Sequence, residues 1–350
     1  MGGILSIVIS ILSILLLLVL IVGCCVVFTN AIEHLGRKLN LGEGAVGSIF
    51  AAIGTALPET IVPLVAIFGA YFSGSSLSLG KEIGVGAILG SPFLLTTLAM
   101  FVTGVAVFLF ATWNKRSFVL DLDETLLKRD LRYFLCFYTV AVMSSFLTSS
   151  FIKYFVGAFL LVGYLLYAIR TLDKCADGAC DTELEELYIC KILKLKVNKF
   201  FLIISQIFLS IAALVYFSNL FVENIKFVSE LLELSPFIIS LLLAPIATEL
   251  PEMFNSVLWV KSSKDTLAMA NISGAIVFQS CIPMAIGLFF TSWSFSSQTF
   301  VNIVLVYLAV VGLCLNMIKT NNKLNVKSLL ICGVFYAAYI IYVLQNVLKA

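Results

Sequence analysis

The stretch Ala247-Thr248-Glu249-Leu250-Pro251-Glu252-Met253 lies in the middle of an apolar segment and places two carboxylates three residues apart. A second stretch, Gly54-Thr55-Ala56-Leu57-Pro58-Glu59-Thr60, repeats the phrase almost word for word. In register, Ile53, Thr55, Leu57, Pro58 and Glu59 match Ile246, Thr248, Leu250, Pro251 and Glu252. The two phrases decide the fold, because of where they sit in the hydropathy pattern.

The chain has 350 residues, of which 61% are hydrophobic and only 12% charged, with a net charge of +2. Soluble domains carry about 25% charged residues. This composition is that of a polytopic membrane protein, and the small net charge gives no basic face for nucleic acid. A spanning helix needs about 20 apolar residues. Ten windows qualify: 4–28, 45–72, 83–112, 132–149, 152–170, 199–219, 235–260, 266–291, 298–318 and 327–347. The first has no basic start and an apolar run longer than a signal peptide's, so it reads as a retained helix.

Of the 22 Lys and Arg residues, 18 fall in the loops after the odd-numbered helices. By the positive-inside rule those loops are cytoplasmic and both termini lie outside, in a plasma or inner membrane. Cys175, Cys180 and Cys190 then lie in a cytoplasmic loop, where disulfides are not expected, and their spacing matches no common zinc site. Cys24, Cys25, Cys136, Cys281, Cys314 and Cys332 read as packing residues in or at the ends of helices.

The first phrase falls in helix 2 and the second in helix 7, an odd number of helices apart. The expected fold is therefore all-α, with ten transmembrane helices as two inverted five-helix repeats. The first half covers 1–170, a cytoplasmic connecting loop 171–198, and the second half 199–350. Inverted repeats with helices broken by Gly or Pro go with secondary transport and a midplane site. Each phrase has that chemistry. Proline has no N–H, so Pro58, Pro251 and Pro245 release the carbonyls of Gly54, Ala247 and Leu241 from the helical ladder. Carbonyl, hydroxyl and carboxylate oxygens together suit a hard cation such as Ca2+. A buried acid at a helix centre costs about 2.5–3.5 kcal/mol on insertion scales and marks an ion pathway.

These residues resemble the cation/calcium antiporter superfamily, whose best-known branch is the sodium/calcium exchangers. The resemblance spans the chain and is most specific in residues 47–98 and 240–287. It rests on Gly54-Thr55-Ala56-Leu57-Pro58-Glu59 and Ala247-Thr248-Glu249-Leu250-Pro251-Glu252, which match the family's Gly-Thr-Ser-Leu-Pro-Glu-like phrase. It implies that Glu59 and Glu252 share a Ca2+ site, and that Thr55, Thr248 and the carbonyls of Ala52 and Pro245 help bind Ca2+ or Na+. It also implies that helices 1 and 6 rock against the remainder. The function implied is exchange of Ca2+ for Na+ by alternating access, with no enzyme activity and no cofactor beyond the transported ions.

The chain departs from the pattern in informative places. In the family's Gly-Ser phrase after helix 2, Gly90 and Ser91 are kept, but the ligand position four residues on is Leu95. In the second half Ser becomes Ala275, and the acid or amide position is Gln279. Glu249 stands where the family has a small hydroxyl. Two readings of Glu249 are open: a carboxylate moved from helix 8 to helix 7, or an acid facing a water-filled vestibule. The metal-site set is thus Glu59, Glu252, Thr55, Thr248, Ala52, Pro245, Ser91, Gln279 and Glu249. The partners are Ca2+, Na+ or H+, and the lipid bilayer; nothing in the sequence signals an oligomeric state. The alternatives to Na+ coupling are a proton-coupled divalent cation exchanger and a cation channel using the same acids.

Two other motifs are set aside. Asp121-x-Asp123-x-Thr125 resembles the first motif of haloacid-dehalogenase-type phosphatases, but the loop 113–131 is too short for a catalytic α/β domain. It reads as a surface turn whose acids pair with Lys115, Arg116, Lys128 and Arg129. Asp173, Asp177, Gly178 and Asp181 are only loosely similar to a Ca2+ loop, since Leu184 stands where the closing Glu belongs. The sole histidine, His34, has no metalloprotease partner motif, and no nucleophile elbow is present.

Overall fold

The structure, a computed structural model, describes residues 2–38, 51–73, 77–113, 116–175, 186–193, 199–232, 234–320 and 324–347. Within these, the side chains of 2–8, 11, 33, 36–37, 51–57, 70–73, 77, 172–175, 192–193, 199, 247 and 346–347 are outside the description. Cys180 and the loop 176–185 likewise lie outside it, with most of the Ca2+-loop-like stretch.

Among the described residues the regular structure is all helix apart from one short ladder. The helices are α1 (Gly2–Lys38), α2 (Ala51–Ser73), α3a (Leu77–Leu94), α3b (Met100–Thr112), α4 (Glu124–Met143) and α5 (Ser150–Cys175). After a short helix at Tyr188–Leu193 come α6 (Lys199–Leu232), α7a (Pro236–Thr248), α7b (Leu250–Lys261), α8 (Asp265–Phe290), α9 (Ser297–Lys319) and α10 (Val326–Val347). Eight spans among the described residues are long and apolar enough to cross a membrane. α4 is not among them, because its first half carries Glu124, Lys128, Arg129, Asp130 and Arg132. The apolar run of α2 whose side chains are described, Pro58–Gly69, is shorter than a membrane span. The fold is an integral, multi-span membrane fold. Large apolar side chains on the outside agree: Phe151, Phe155 and Phe159 of α5 recur every fourth residue and are 69%, 63% and 51% exposed. A soluble monomer does not leave such a stripe in water.

Several helices differ from their hydropathy windows, each for a local reason. α4 begins at 124 rather than 132, because Asp123 caps it: its Oδ1 accepts from the N–H of Thr125 at 2.9 Å and of Leu126 at 3.3 Å. That cap stabilises a helix start by about 1 kcal/mol. α6 continues past 219 through Glu223, Lys226 and Glu230 to Leu232, beyond its apolar part. α3 is interrupted by a π-helical turn, Leu95–Ala99. There the Thr96 hydroxyl donates to the carbonyl of Pro92 at 2.7 Å, which Thr96's own turn leaves accessible. Such π-turns recur at functional sites.

The phosphatase-like stretch is structural. Val119–Leu120 forms β1 and pairs antiparallel with β2, Leu324–Asn325. Of the ion pairs expected from sequence, Lys128 makes its own with Glu124 of the stretch, Arg116 and Arg129 pair elsewhere, and Lys115 lies outside the described residues. Arg116 instead forms a buried fork with Asp265, 149 residues away, with Nη1–Oδ1 at 2.7 Å. Asp265 Oδ2 also accepts from the N–H of Asp121 at 2.9 Å. Lys128 faces Glu124 at 3.9 Å and Arg129 faces Asp130 at 2.9 Å. The loop thus pins the start of α8, rather than presenting a catalytic acid.

Packing divides the molecule into two main apolar clusters. The larger runs through α3, α4, α8, α9 and α10, with contributions from α5 and α7. The second holds Ile14, Leu17, Leu18 and Ile21 of α1 against Val62 and Val65 of α2 and Leu214, Phe221 and Ile225 of α6. The clusters meet along the seam between α3a and α7a, where glycine is required. A Cβ on Gly86 would lie 2.5 Å from the Phe237 carbonyl oxygen, and one on Gly90 would lie 2.2 Å from that of Leu241. Gly86 and Gly90, one turn apart, let two backbones touch, as small residues do in membrane helix pairs. The cysteines described are free: Cys24, Cys25, Cys136, Cys190, Cys281, Cys314 and Cys332.

Candidate functional site

The α3a–α7a seam leads to the break in α7. Glu249 interrupts the helix with φ −95° and ψ −2°, and Leu250 begins α7b. The cause is local. Pro251 cannot donate to the Ala247 carbonyl, and a proline in the first turn of a new helix loses nothing. Glu249 is thus the N-cap of α7b and Glu252 its third residue, a spacing used for capping boxes. Yet the Glu249 side chain makes no cap bond. Its carboxylate is turned aside, into the protein.

There it meets the other acids. Glu59 of α2, Glu249 and Glu252 each bring a carboxylate oxygen to within 4.8 Å of the others, and all three residues are buried. Their exposures are 4%, 0% and 4%. One oxygen of each, Oε2, has no hydrogen-bond partner, and neither has Oε1 of Gln279. Four buried acceptors without donors are costly unless something positive joins them. Two carboxylates at that spacing repel by roughly 3–4 kcal/mol at an effective dielectric of about 20. A Ca2+ ion takes oxygens at about 2.3–2.6 Å, so two of its ligands stand at most about 5 Å apart. The spacing of the three carboxylates fits one such ion.

The surroundings hold this arrangement. Gln279 of α8 donates from Nε2 to Glu249 Oε1 at 2.6 Å, and Thr248 donates to the same oxygen at 3.3 Å. Glu249 therefore keeps Oε1 for the protein and Oε2 for the site. Ser91 of α3a is a further side-chain neighbour of Glu249. Being wholly buried, Glu249 does not face a water-filled vestibule. Asn271 of α8 donates to the Glu252 carbonyl at 3.0 Å and to Ser256 Oγ at 3.3 Å, fixing the first turn of α7b.

The expected ligands divide as follows. Glu59, Glu249, Glu252, Thr248, Ser91 and Gln279 come together. The side chains of Ala52 and Thr55 lie outside the described residues. The Pro245 carbonyl accepts the Glu249 N–H at 2.9 Å, so one lone pair is already engaged in the helix. The Leu241 carbonyl released by Pro245 points at Gly90, serving helix packing. Leu95 is fully buried in the apolar core on the π-turn, with no ligand role. Asn271 is the residue missed from sequence. Its only signal was an amide within the Asn-Ile-Ser-Gly run of helix 8, and its partner is a backbone carbonyl that no spacing rule marks.

A carboxylate cluster held by two broken or proline-bearing helices is the kind of site that ion exchangers use. The family description "Sodium/calcium exchanger protein" matches residues 9–172 and 202–347. The chain belongs to the sodium/calcium exchanger protein family. A relative from Methanocaldococcus jannaschii, an uncharacterized membrane protein, is 23% identical over 270 residues, covering 75% of this chain and 76% of its own. Among solved structures, the chain is similar to the H+/Ca2+ exchanger CAX, with a TM-score of 0.68 and 14% identity over 97% of this chain and 88% of that one. It is also similar to the sodium-calcium exchanger NCX_Mj, with a TM-score of 0.56 and 20% identity over 95% of this chain and 98% of that one. At these identities the likeness establishes the fold. The family places the protein among secondary transporters rather than enzymes.

Proposed function

We propose that this protein is a secondary active antiporter that exchanges Ca2+ for Na+ across the membrane by alternating access. The observation that carries the reading is the meeting of Glu59, from one acidic phrase, with Glu249 and Glu252, from the other, around four unpartnered buried oxygens. Glu59 and Glu252 supply the paired charge for the divalent ion. Glu249 supplies the carboxylate that the family pattern would put on helix 8, with Gln279 as its amide partner. Thr55, Thr248, Ser91 and the carbonyls of Ala52 and Pro245 complete the oxygen set for Ca2+ or Na+.

The topology that goes with this reading has ten crossings in two inverted halves, 1–170 and 199–350, joined by the cytoplasmic segment 171–198. Both termini lie outside. The distribution of Lys and Arg supports the orientation. The packing of α1 along α6, both long and lined by apolar residues, supports α1 and α6 as the moving pair.

Proton coupling is the second reading. Its specific support is that the fold is more similar to the H+/Ca2+ exchanger (TM-score 0.68) than to the sodium-calcium exchanger (0.56). Proteoliposomes separate the two. Vesicles loaded with Na+ and diluted into Na+-free buffer take up radioactive Ca2+ if Na+ is the counter-ion. Uptake driven by a pH gradient alone, with no response to Na+, assigns the proton. Flux that needs no counter-ion gradient at all would make the protein a channel.

A further inference from the structure

The connecting segment between the halves is docked on the two longest helices. Residues 186–193 enter as a short strand of chain followed by the helix Tyr188–Leu193. Six residues do not hold a helix in water unaided. This one is held by side chains from two other helices. The N–H of Tyr188 donates to Asn30 Oδ1 of α1 at 3.2 Å, and the N–H of Ile189 donates to Gln206 Oε1 of α6 at 2.9 Å. These are first-turn donors with no partner inside their own helix, so α1 and α6 each cap it.

The same two amides also bind one another. Gln206 Nε2 donates to Asn30 Oδ1 at 3.0 Å and to the Val27 carbonyl of α1 at 2.8 Å. Asn30 Nδ2 in turn donates to the Glu186 carbonyl at 3.4 Å. Gln206 spends both its donors and its acceptor, on two backbone groups, the Val27 carbonyl and the Ile189 N–H, and on the Asn30 side chain. Asn30 and Gln206 are 5% and 2% exposed. Around them Leu187 packs with Ala31 of α1 and with Leu202 and Ile203 of α6, in an apolar cluster separate from the two large ones. Cys190 lies half-buried at its edge.

A buried, satisfied amide network is rigid and specific in a way that lipid-facing apolar contacts are not. It joins α1 to α6 at the connecting-loop end, through residues that are not among the cation-site oxygens. We propose that residues 186–193 form a clasp that ties α1 and α6 into one body at the cytoplasmic face, with Asn30 and Gln206 as its positioning residues, and that the closed clasp sets the rate of exchange. The rate claim rests on the exchanger reading; the clasp itself does not. If α1 and α6 move together, an opened clasp lets one lag the other and lowers the rate. It leaves ion binding alone, since the ligands sit on α2, α3a, α7 and α8 and none on α1 or α6.

The test uses the full chain in proteoliposomes, as wild type, Gln206→Leu and Leu187→Ser. The second variant opens the clasp from its apolar side and alters no residue of a membrane-spanning helix. Alkylation of Cys190 by a maleimide, read by peptide mass spectrometry, reports clasp opening without any flux. Loss of the Gln206 bonds raises that alkylation rate about tenfold or more. Maximal Ca2+ uptake falls about tenfold in both variants, with the half-saturating Ca2+ concentration unchanged. Unchanged Cys190 reactivity would show that no clasp exists. Faster alkylation with wild-type uptake, or a shifted half-saturation at full rate, would overturn the claim about exchange. Absence of Ca2+ flux in the wild type would sink the exchanger reading and the rate claim together, while Cys190 still decides whether the clasp exists.

Discussion

Gly90→Ala offers a strong test of how the site is positioned. An added Cβ would lie 2.2 Å from the Leu241 carbonyl oxygen, 2.6 Å from Pro245 Cγ and 2.9 Å from the Leu241 carbonyl carbon. Close C–H···O contacts settle at about 3.3–3.6 Å, so α3a and α7a must part by about 1 Å. The obstacle is backbone and a proline ring, which cannot rotate away. Overpacking of this kind costs about 1–3 kcal/mol. The functional effect is larger than the stability effect. Ser91 follows Gly90 directly, and Pro245 accepts the N–H of Glu249 at 2.9 Å, so the shift passes straight to the carboxylates. A 1 Å misplacement of reacting groups in an enzyme costs about a hundredfold, and a loss of that order in Ca2+ uptake is expected. Gly274→Ala is the control. Gly274 stands at the matching phrase on α8, but nothing lies within 4 Å of its added Cβ. That variant should transport within about twofold of wild type and gain slightly in helix stability. The assay is counter-ion-driven uptake of radioactive Ca2+ into proteoliposomes, with reconstituted protein quantified for each variant. Wild-type uptake by Gly90→Ala would refute the claim that this seam fixes the site.

Three further outcomes are expected. Glu249→Ser removes one of the three carboxylates and should weaken Ca2+ binding about 30-fold or more, as loss of a buried charged partner does; Gln279→Glu added to it should restore most of that affinity, and equilibrium binding of Ca2+ to the purified variants would show otherwise if the charge has to sit on α7. Arg116→Met leaves Asp265 buried and unpaired, at a cost of about 3–5 kcal/mol. It should lower the thermal midpoint in detergent, and adding Asp265→Leu should recover most of the loss; equal midpoints for wild type and Arg116→Met would show the pair to be idle. Asn271→Leu frees the first turn of α7b and should raise the half-saturating Ca2+ concentration severalfold with little effect on maximal rate, and a pure rate effect would count against its placement of Glu252.

Much of this was legible in the sequence because membrane folds are strongly constrained. Only helices satisfy their own backbone in lipid, so apolar windows locate most of the segments. Two matching Pro-Glu phrases were enough to bring Glu59 and Glu252 together. What escaped the sequence lies in contacts between distant segments. The Arg116–Asp265 fork and the Asn271 bond to the Glu252 carbonyl depend on side chains and backbone meeting across the bundle. The start of α4 was misplaced because hydropathy ignores the Asp123 cap. The Leu241 carbonyl was expected to serve an ion, but Gly90 claims the space before it. Glu249 shows the boundary most clearly. Its substitution for a small hydroxyl was visible, while its burial and its bond to Gln279 follow from the kink that Pro251 imposes and from where α8 passes.

The measurement that bears most directly on the cation site is anomalous diffraction from crystals of the protein grown with Ca2+. One strong peak is expected, bounded by Glu59, Glu249 and Glu252, with each carboxylate oxygen at about 2.3–2.6 Å and Gln279 Oε1 alongside. A bound Ca2+ ion elsewhere in the membrane region, with these three carboxylates left unligated, would contradict the assignment of the site.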